Sequence, residues 1–174
     1  TYGMETRSAV FGALPRVGIR QDYCRFTRNS VERQDLMDRV MQLGLSLSGL
    51  YAEHLPSEYH RHLRMSLGEV RREWLLPDTP FSTANFNLNA AIRYHRDFAN
   101  QPGMYSNVLV LKRSIQGGEL VLPEYRVALA QESGSLIIFD GQAVVHGVMP
   151  IKSEREDALR CSIVYYTLSG MKSC

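Results

Sequence analysis

An α+β fold, with helices in the first half of the chain and a jelly-roll of short strands in the second, is predicted by three observations. Helical apolar spacing is confined to residues before about 80. Beyond Phe81, short β-branched and apolar runs recur between turn signals rich in glycine, proline and aspartate. Many short strands with regular turns belong to sandwiches and barrels, and the helices would then buttress one face of such a barrel. The 174 residues fit a single domain, with 1–80 as N-terminal extension and support helices and 81–174 as the jelly-roll core.

The stretch to about Ser30 is punctuated by Gly3, Gly12, Pro15 and Gly18, so irregular chain or short strands are expected. Val31, Leu36, Val40, Met41, Leu43, Leu45, Leu47 and Leu50 then outline an apolar helical face, interrupted by Gly44 and Gly49. Ser57 is placed to cap a second helix, in which Tyr59, Leu63, Leu67 and Val70 recur at three- and four-residue spacing. Arg61, Arg64, Arg71 and Arg72 fall mostly on its outer face, and Pro77 and Pro80 close this half. Strands are expected over Phe86–Tyr94, Ser106–Lys112, Glu119–Leu122, Tyr125–Ala130, Ser135–Phe139, Ala143–Val148 and Cys161–Thr167.

Composition excludes little but orders the rest. A net charge of +2 predicts no strong general affinity for polyanions. All but three of the 20 basic residues are arginine, the exceptions being Lys112, Lys152 and Lys172. Arginine grips phosphate or carboxylate with two parallel bonds, yet a solvated surface accounts for the bias equally well. No apolar run nears the roughly 18–20 residues that span a bilayer, so no membrane is expected. Cys24, Cys161 and Cys174 are an odd, widely spaced trio, which suggests a reducing, intracellular compartment and argues against a thiolate zinc site.

The chemistry concentrates in three places. His95 and Asp97, two apart on an extended strand, point the same way, and His146 closes a later apolar segment. Two imidazoles and one carboxylate hold Fe(II) on one face and leave the other open. Gly117-Gly118-Glu119-Leu120 permits a close backbone approach between the ligand segments. Arg160 opens the last strong strand, with Ser162 on the same face, where a fixed cation and a hydroxyl suit a carboxylate. The competing readings are a surface His95, a structural His146, and an internal ion pair of Arg160 with Glu156 or Asp157. His54, His60 and His62 are read as surface or packing residues.

His95-x-Asp97, the Gly-Gly-Glu-Leu segment, His146 and Arg160 together resemble the Fe(II)/2-oxoglutarate-dependent dioxygenase superfamily. Within it, His95-Arg96-Asp97-Phe98-Ala99-Asn100 and Arg160-Cys161-Ser162-Ile163-Val164-Tyr165-Tyr166 are similar to the TET/JBP group, phage-encoded relatives included, over about residues 86–168. Phe11-Gly12-Ala13-Leu14-Pro15-Arg16 through Asp22-Tyr23-Cys24-Arg25 also looks like the front end of the phage relatives. The resemblance implies a double-stranded β-helix, the cupin-like jelly-roll. It implies Fe(II) on His95, Asp97 and His146, and 2-oxoglutarate held at its distal carboxylate by Arg160 and Ser162. It further implies that Asn100 contacts a target base and Tyr166 stacks on it, while dioxygen is consumed and the 5-methyl group of 5-methylcytosine or thymine in DNA is hydroxylated. Such a base must leave the duplex stack to be reached. Two departures stand out. Leu168 occupies the place of a histidine that bonds the methylcytosine edge in TET enzymes. Their cysteine-rich zinc region is also missing, so the arginine-bearing N-terminal half is the candidate DNA-binding element. The compartment implied is a bacterial cytoplasm for a phage gene, and cytoplasm or nucleus otherwise. Two rivals remain: an oxygenase of the same type acting on a free nucleoside, metabolite or peptide, and a non-catalytic jelly-roll binding module.

Overall fold

The computed structural model describes residues 4–16 and 23–174, so the expectations resting on Gly3, Gly18 and Asp22 lie outside the described residues. Strands β1 (Arg7–Pro15) and β2 (Cys24–Phe26) precede helices α1 (Arg28–Glu32), α2 (Gln34–His54) and α3 (Pro56–Glu69). Then follow β3 (Thr83–Leu88), β4 (Ser106–Arg113), β5 (Ile115–Gly117), β6 (Leu120–Leu122), β7 (Val127–Leu129), β8 (Ser135–Phe139), β9 (Gly147–Val148), β10 (Ile151–Ser153) and β11 (Leu159–Tyr166). The large sheet runs β2-β1-β3-β11-β4-β8, and two small sheets, β7-β6-β9 and β10-β5, complete the β structure.

The large sheet is antiparallel along β1-β3-β11-β4-β8, and its period of two divides it cleanly between its faces. From β11, Ile163 and Tyr165 join Ala84 of β3 in a core with Val40, Leu47 and Tyr51 of α2. The alternate residues of the same strands, Arg160, Ser162, Val164 and Tyr166 with Asn85 and Asn87, line a cavity on the other face. Leu120 of β6 and Val148 of β9 close that cavity from the small sheet. The helices therefore buttress one side of the barrel while the other stays hollow.

Local details correct the expectations. Strand β1 is nine residues long and pairs with β3 from Arg7 opposite Leu88 to Gly12 opposite Thr83, so the N-terminal segment is part of the main sheet. At Gly12, with φ +93°, a side chain would strike the Ser82 carbonyl. Gly44 and Gly49 do not interrupt α2, which continues for 21 residues. Gly44 instead lets the helix settle on Tyr165, whose ring carbon lies 2.8 Å from where a Cβ would be. The same tyrosine donates from Oη to the Val40 carbonyl at 2.7 Å. Ser57 is not a cap: α3 begins at Pro56, whose missing N–H costs nothing there. Cys24 and Cys174 form a disulfide with Cα atoms 5.5 Å apart, and Cys161 stays free. Their separation of 150 residues gave the sequence reading no reason to pair them. No helix of the described residues is long and apolar enough to cross a membrane.

His54 and His60 are exposed, but His62 is buried between the ring edges of Tyr51 and Phe81, with Nε2 3.3 Å from Thr167 Oγ1. Burial, assisted by Arg61, pushes its pKa down to about 3. The unfolded chain then takes up the proton more readily, so stability is full above about pH 6.5 and falls as the pH drops toward 3. The melting temperature should decline between pH 7 and pH 4.5, and His62→Gln should remove part of that decline in parallel thermal scans.

Candidate active site

Strand β3 ends at Leu88, and Asn89, at φ 53°, turns the chain out of the sheet. His95 and Asp97 thus lie on the connection to β4 and not, as their spacing suggested, along a regular strand. Hydrogen bonds to the backbone replace the missing ladder. His95 N–H donates to the His146 carbonyl at 2.9 Å and His146 N–H returns the bond at 3.0 Å, an isolated antiparallel bridge just before β9. Asp97 N–H donates to the Gly141 carbonyl at 2.9 Å. A side chain at Gly141 would collide with Asp97 Oδ2, which explains a glycine in the turn after Asp140.

The two rings are oriented alike. His95 Nδ1 lies 2.8 Å from the Arg93 carbonyl and His146 Nδ1 2.9 Å from the Val144 carbonyl. A carbonyl only accepts, so each Nδ1 carries the proton, and a neutral ring then presents a bare Nε2. Those two nitrogens stand 3.4 and 3.7 Å from Asp97 Oδ1. One ligand atom from each residue falls within 4.8 Å of the other two. Bare nitrogens facing a carboxylate oxygen repel unless a cation lies between them, so the donor set fits a ferrous ion. Burial, the largest influence, lowers the pKa of His146 and favours the neutral, ligating form. Asn100 Nδ2 donates to Asp97 Oδ2 at 3.1 Å and to Ser106 Oγ at 3.0 Å. Its amide nitrogen is thereby committed to Asp97 and Ser106.

From the triad the cavity, about 450 Å³, runs between the sheets to Arg160. Arg160 is 2% exposed. Its Nε donates to the Gly118 carbonyl at 3.1 Å and Nη2 to Gln131 Oε1 at 3.3 Å, and its backbone N–H meets Asn89 Oδ1 at 2.9 Å. The internal ion pair is excluded, because Asp157 is engaged with Arg113 at 3.1 Å and Glu156 is exposed. Nη1 has no partner among the described residues. The two glycines are explained here: a side chain at Gly118 would press on Arg160 Cδ, and one at Gly117 on the Pro150 carbonyl. Burial holds the Arg160 pKa below its ordinary value, offset in part by Cys161 and Glu119.

Ser162 and Tyr166 line the same cavity, and burial, with a smaller push from Asp97, raises the Tyr166 phenol to about 12. Leu168 lies beside Asn100 through an isolated bridge and also lines the cavity. Phe98, 86% exposed, stands at its edge. All seven residues singled out from the sequence therefore border one space. The reading missed Gln131, Asn85, Asn87 and Gly141. Asn85 and Asn87, polar at i and i+2 in an apolar strand, were legible as one wall; Gln131 sat in a segment that read as a turn. In the N-terminal half, Arg7, Arg28 and Arg33 are paired with Glu5, Glu32 and Asp35, which leaves less free basic surface than expected.

The family model described as the oxygenase domain of the 2OGFeDO superfamily, Tet_JBP, matches residues 19–169. A Trypanosoma brucei brucei protein named bifunctional helicase and thymine dioxygenase JBP2 is 30% identical over 127 residues, 73% of this chain and 11% of that protein. A solved structure of NgTET1 in complex with 5mC DNA superposes with a TM-score of 0.76 at 17% identity, over 95% of this chain and 62% of that one. The chain thus spans about a tenth of the first relative and less than two thirds of the second.

Gly141→Ala should displace Asp97 while leaving both histidine rings in place. Titration calorimetry with Mn(II) is expected to show a loss of affinity of about 10- to 100-fold, the range found when groups supporting a metal ligand are disturbed.

Proposed function

The chain belongs to the Tet_JBP family, the oxygenase domain of the 2-oxoglutarate- and Fe(II)-dependent dioxygenase superfamily, and on that premise we propose that it hydroxylates the 5-methyl group of a pyrimidine in DNA. One observation carries the reading. A two-histidine, one-carboxylate cluster and a buried guanidinium whose Nη1 has no hydrogen-bond partner among the described residues line the same cavity. That combination suits a metal at one end and a diacid co-substrate reaching between the two. The relatives named as a thymine dioxygenase and as a complex with 5mC DNA support the choice of substrate.

In this reading His95, Asp97 and His146 hold the ferrous ion. Their carbonyl-bound Nδ1–H groups fix the tautomer that turns each Nε2 toward the ion, and Asn100 fixes the outer oxygen of Asp97. The iron, when bound, supplies oxygen activation and removal of a methyl hydrogen, coupled to oxidative decarboxylation of 2-oxoglutarate to succinate. Arg160 and Ser162 orient the co-substrate by its distal carboxylate, as a charge-assisted pair in a dry setting can. Tyr166 offers a flat wall for a base that has left its stack, and the apolar side chains of Val108, Phe139 and Val164 limit water beside it. Phe98 at the rim, next to Arg96, suits stacking on nucleic acid. Asn100 reaches a base through its carbonyl edge, since its amide nitrogen serves Asp97.

Leu168 is apolar where a histidine would read the cytosine edge, which leaves thymine and 5-methylcytosine both admissible. The near-neutral charge of +2 favours, as the second reading, the same chemistry on a free nucleoside. Nucleoside mass spectrometry decides. The protein with Fe(II), ascorbate and 2-oxoglutarate is incubated with DNA containing 5-methylcytosine, with unmethylated DNA, and with free thymidine or 5-methylcytidine. A hydroxymethyl product in DNA alone supports the proposal; product from the free nucleosides alone rejects it.

Asp97→Ala is expected to abolish succinate formation and iron retention together. Arg160→Ala should leave metal binding within about twofold but raise the 2-oxoglutarate concentration needed for half-maximal turnover by about 100-fold, as loss of a charged, buried contact implies. Both are read from succinate yield and from metal content after desalting.

A further inference from the structure

Gln131 lies on the connection between β7 and β8, 4% exposed, and lines the cavity at its Arg160 end. Its orientation is fixed by chemistry. Arg160 Nη2 can only donate, so the group 3.3 Å away must be the amide oxygen. The amide nitrogen then has no partner among the described residues, and neither has Arg160 Nη1. Enclosing such a donor without an acceptor is costly, so two of them on neighbouring side chains that line one end of the cavity mark a place for an anionic acceptor. A strut for Arg160 would need the oxygen alone.

We propose that Gln131 is a further 2-oxoglutarate-binding residue, its Nε2 donating to the distal carboxylate while its Oε1 props the Arg160 guanidinium. A carboxylate offers about four lone-pair sites, enough for Arg160 Nη1, Gln131 Nε2 and the Ser162 hydroxyl at once. The inference rests on the reading of Arg160 given above and adds a residue that carries no charge. A neutral amide donor adds affinity and geometric selection for a carboxylate without the cost of burying a second cation.

The test is anaerobic titration calorimetry of the Mn(II)-loaded protein with 2-oxoglutarate and, separately, with 2-oxobutyrate, which lacks the distal carboxylate. For 2-oxoglutarate, Gln131→Leu should weaken binding by about 10- to 100-fold, the range for a hydrogen bond to a charged group. For 2-oxobutyrate the same substitution should change binding less than about twofold. Gln131→Glu supplies a second signature. It gives Arg160 an internal partner, so the ligand-free protein should melt at a higher temperature while 2-oxoglutarate affinity falls at least as far as in Gln131→Leu. Equal weakening of both ligands, or unchanged 2-oxoglutarate binding in either variant, would overturn the role of Gln131. If the unsubstituted protein binds 2-oxoglutarate no better than 2-oxobutyrate, the reading of Arg160 itself fails, and the two failures are thereby told apart.

Discussion

Two backbone hydrogen bonds, exchanged between His95 and His146 at 2.9 and 3.0 Å, join loops that leave the β structure at different points and belong to no extended ladder. Everything about the triad depends on them. They bring two rings to a centroid distance of 4.3 Å, and the carbonyls of Arg93 and Val144 then set each ring's tautomer. Asp97, tied to Gly141 by its own N–H, completes the set. The side chains do not assemble the site; the backbone does, and the side chains inherit its geometry.

The opposite end of the cavity is built by the large sheet. Strand β11 lies between β3 and β4, so its residues are held on both sides and its alternation is rigid. Tyr165 points to the helices and bonds Val40, and in consequence Arg160, Ser162 and Tyr166 must point into the cavity. The support helices thus act on the Arg160 end of the cavity indirectly, by fixing the phase of one strand. Gly44 belongs to the same device, since a side chain there would push α2 off Tyr165.

What was legible in the sequence follows the same division. The apolar runs of β4, β8 and β11 and the spacing of α2 and α3 are periodic, and periodicity survives without coordinates. The triad, Arg160 and Ser162 were singled out by their spacing and by the family resemblance, and all five line the cavity. The conformation around His95 was not, because a strand and a loop braced by distant carbonyls read alike over three residues. Gln131 and the Cys24–Cys174 bond were hidden for a related reason: each acquires meaning from a partner far along the chain, 29 residues away in one case and 150 in the other. The bonds of the Asn100 amide to Asp97 and Ser106 were hidden likewise, since only coordinates disclose such pairings.

Because His95 and Asp97 sit outside the sheet, their segment has a thermodynamic life of its own. Breaking the bridge to His146 and the bond to Gly141 would release two of the three ligands while β3, β4 and β11 stay paired. Sub-global openings of this kind occur well below the free energy of complete unfolding. For an ion held as proposed, residence time would then follow the breathing of one loop, independently of how firmly the barrel itself resists heat.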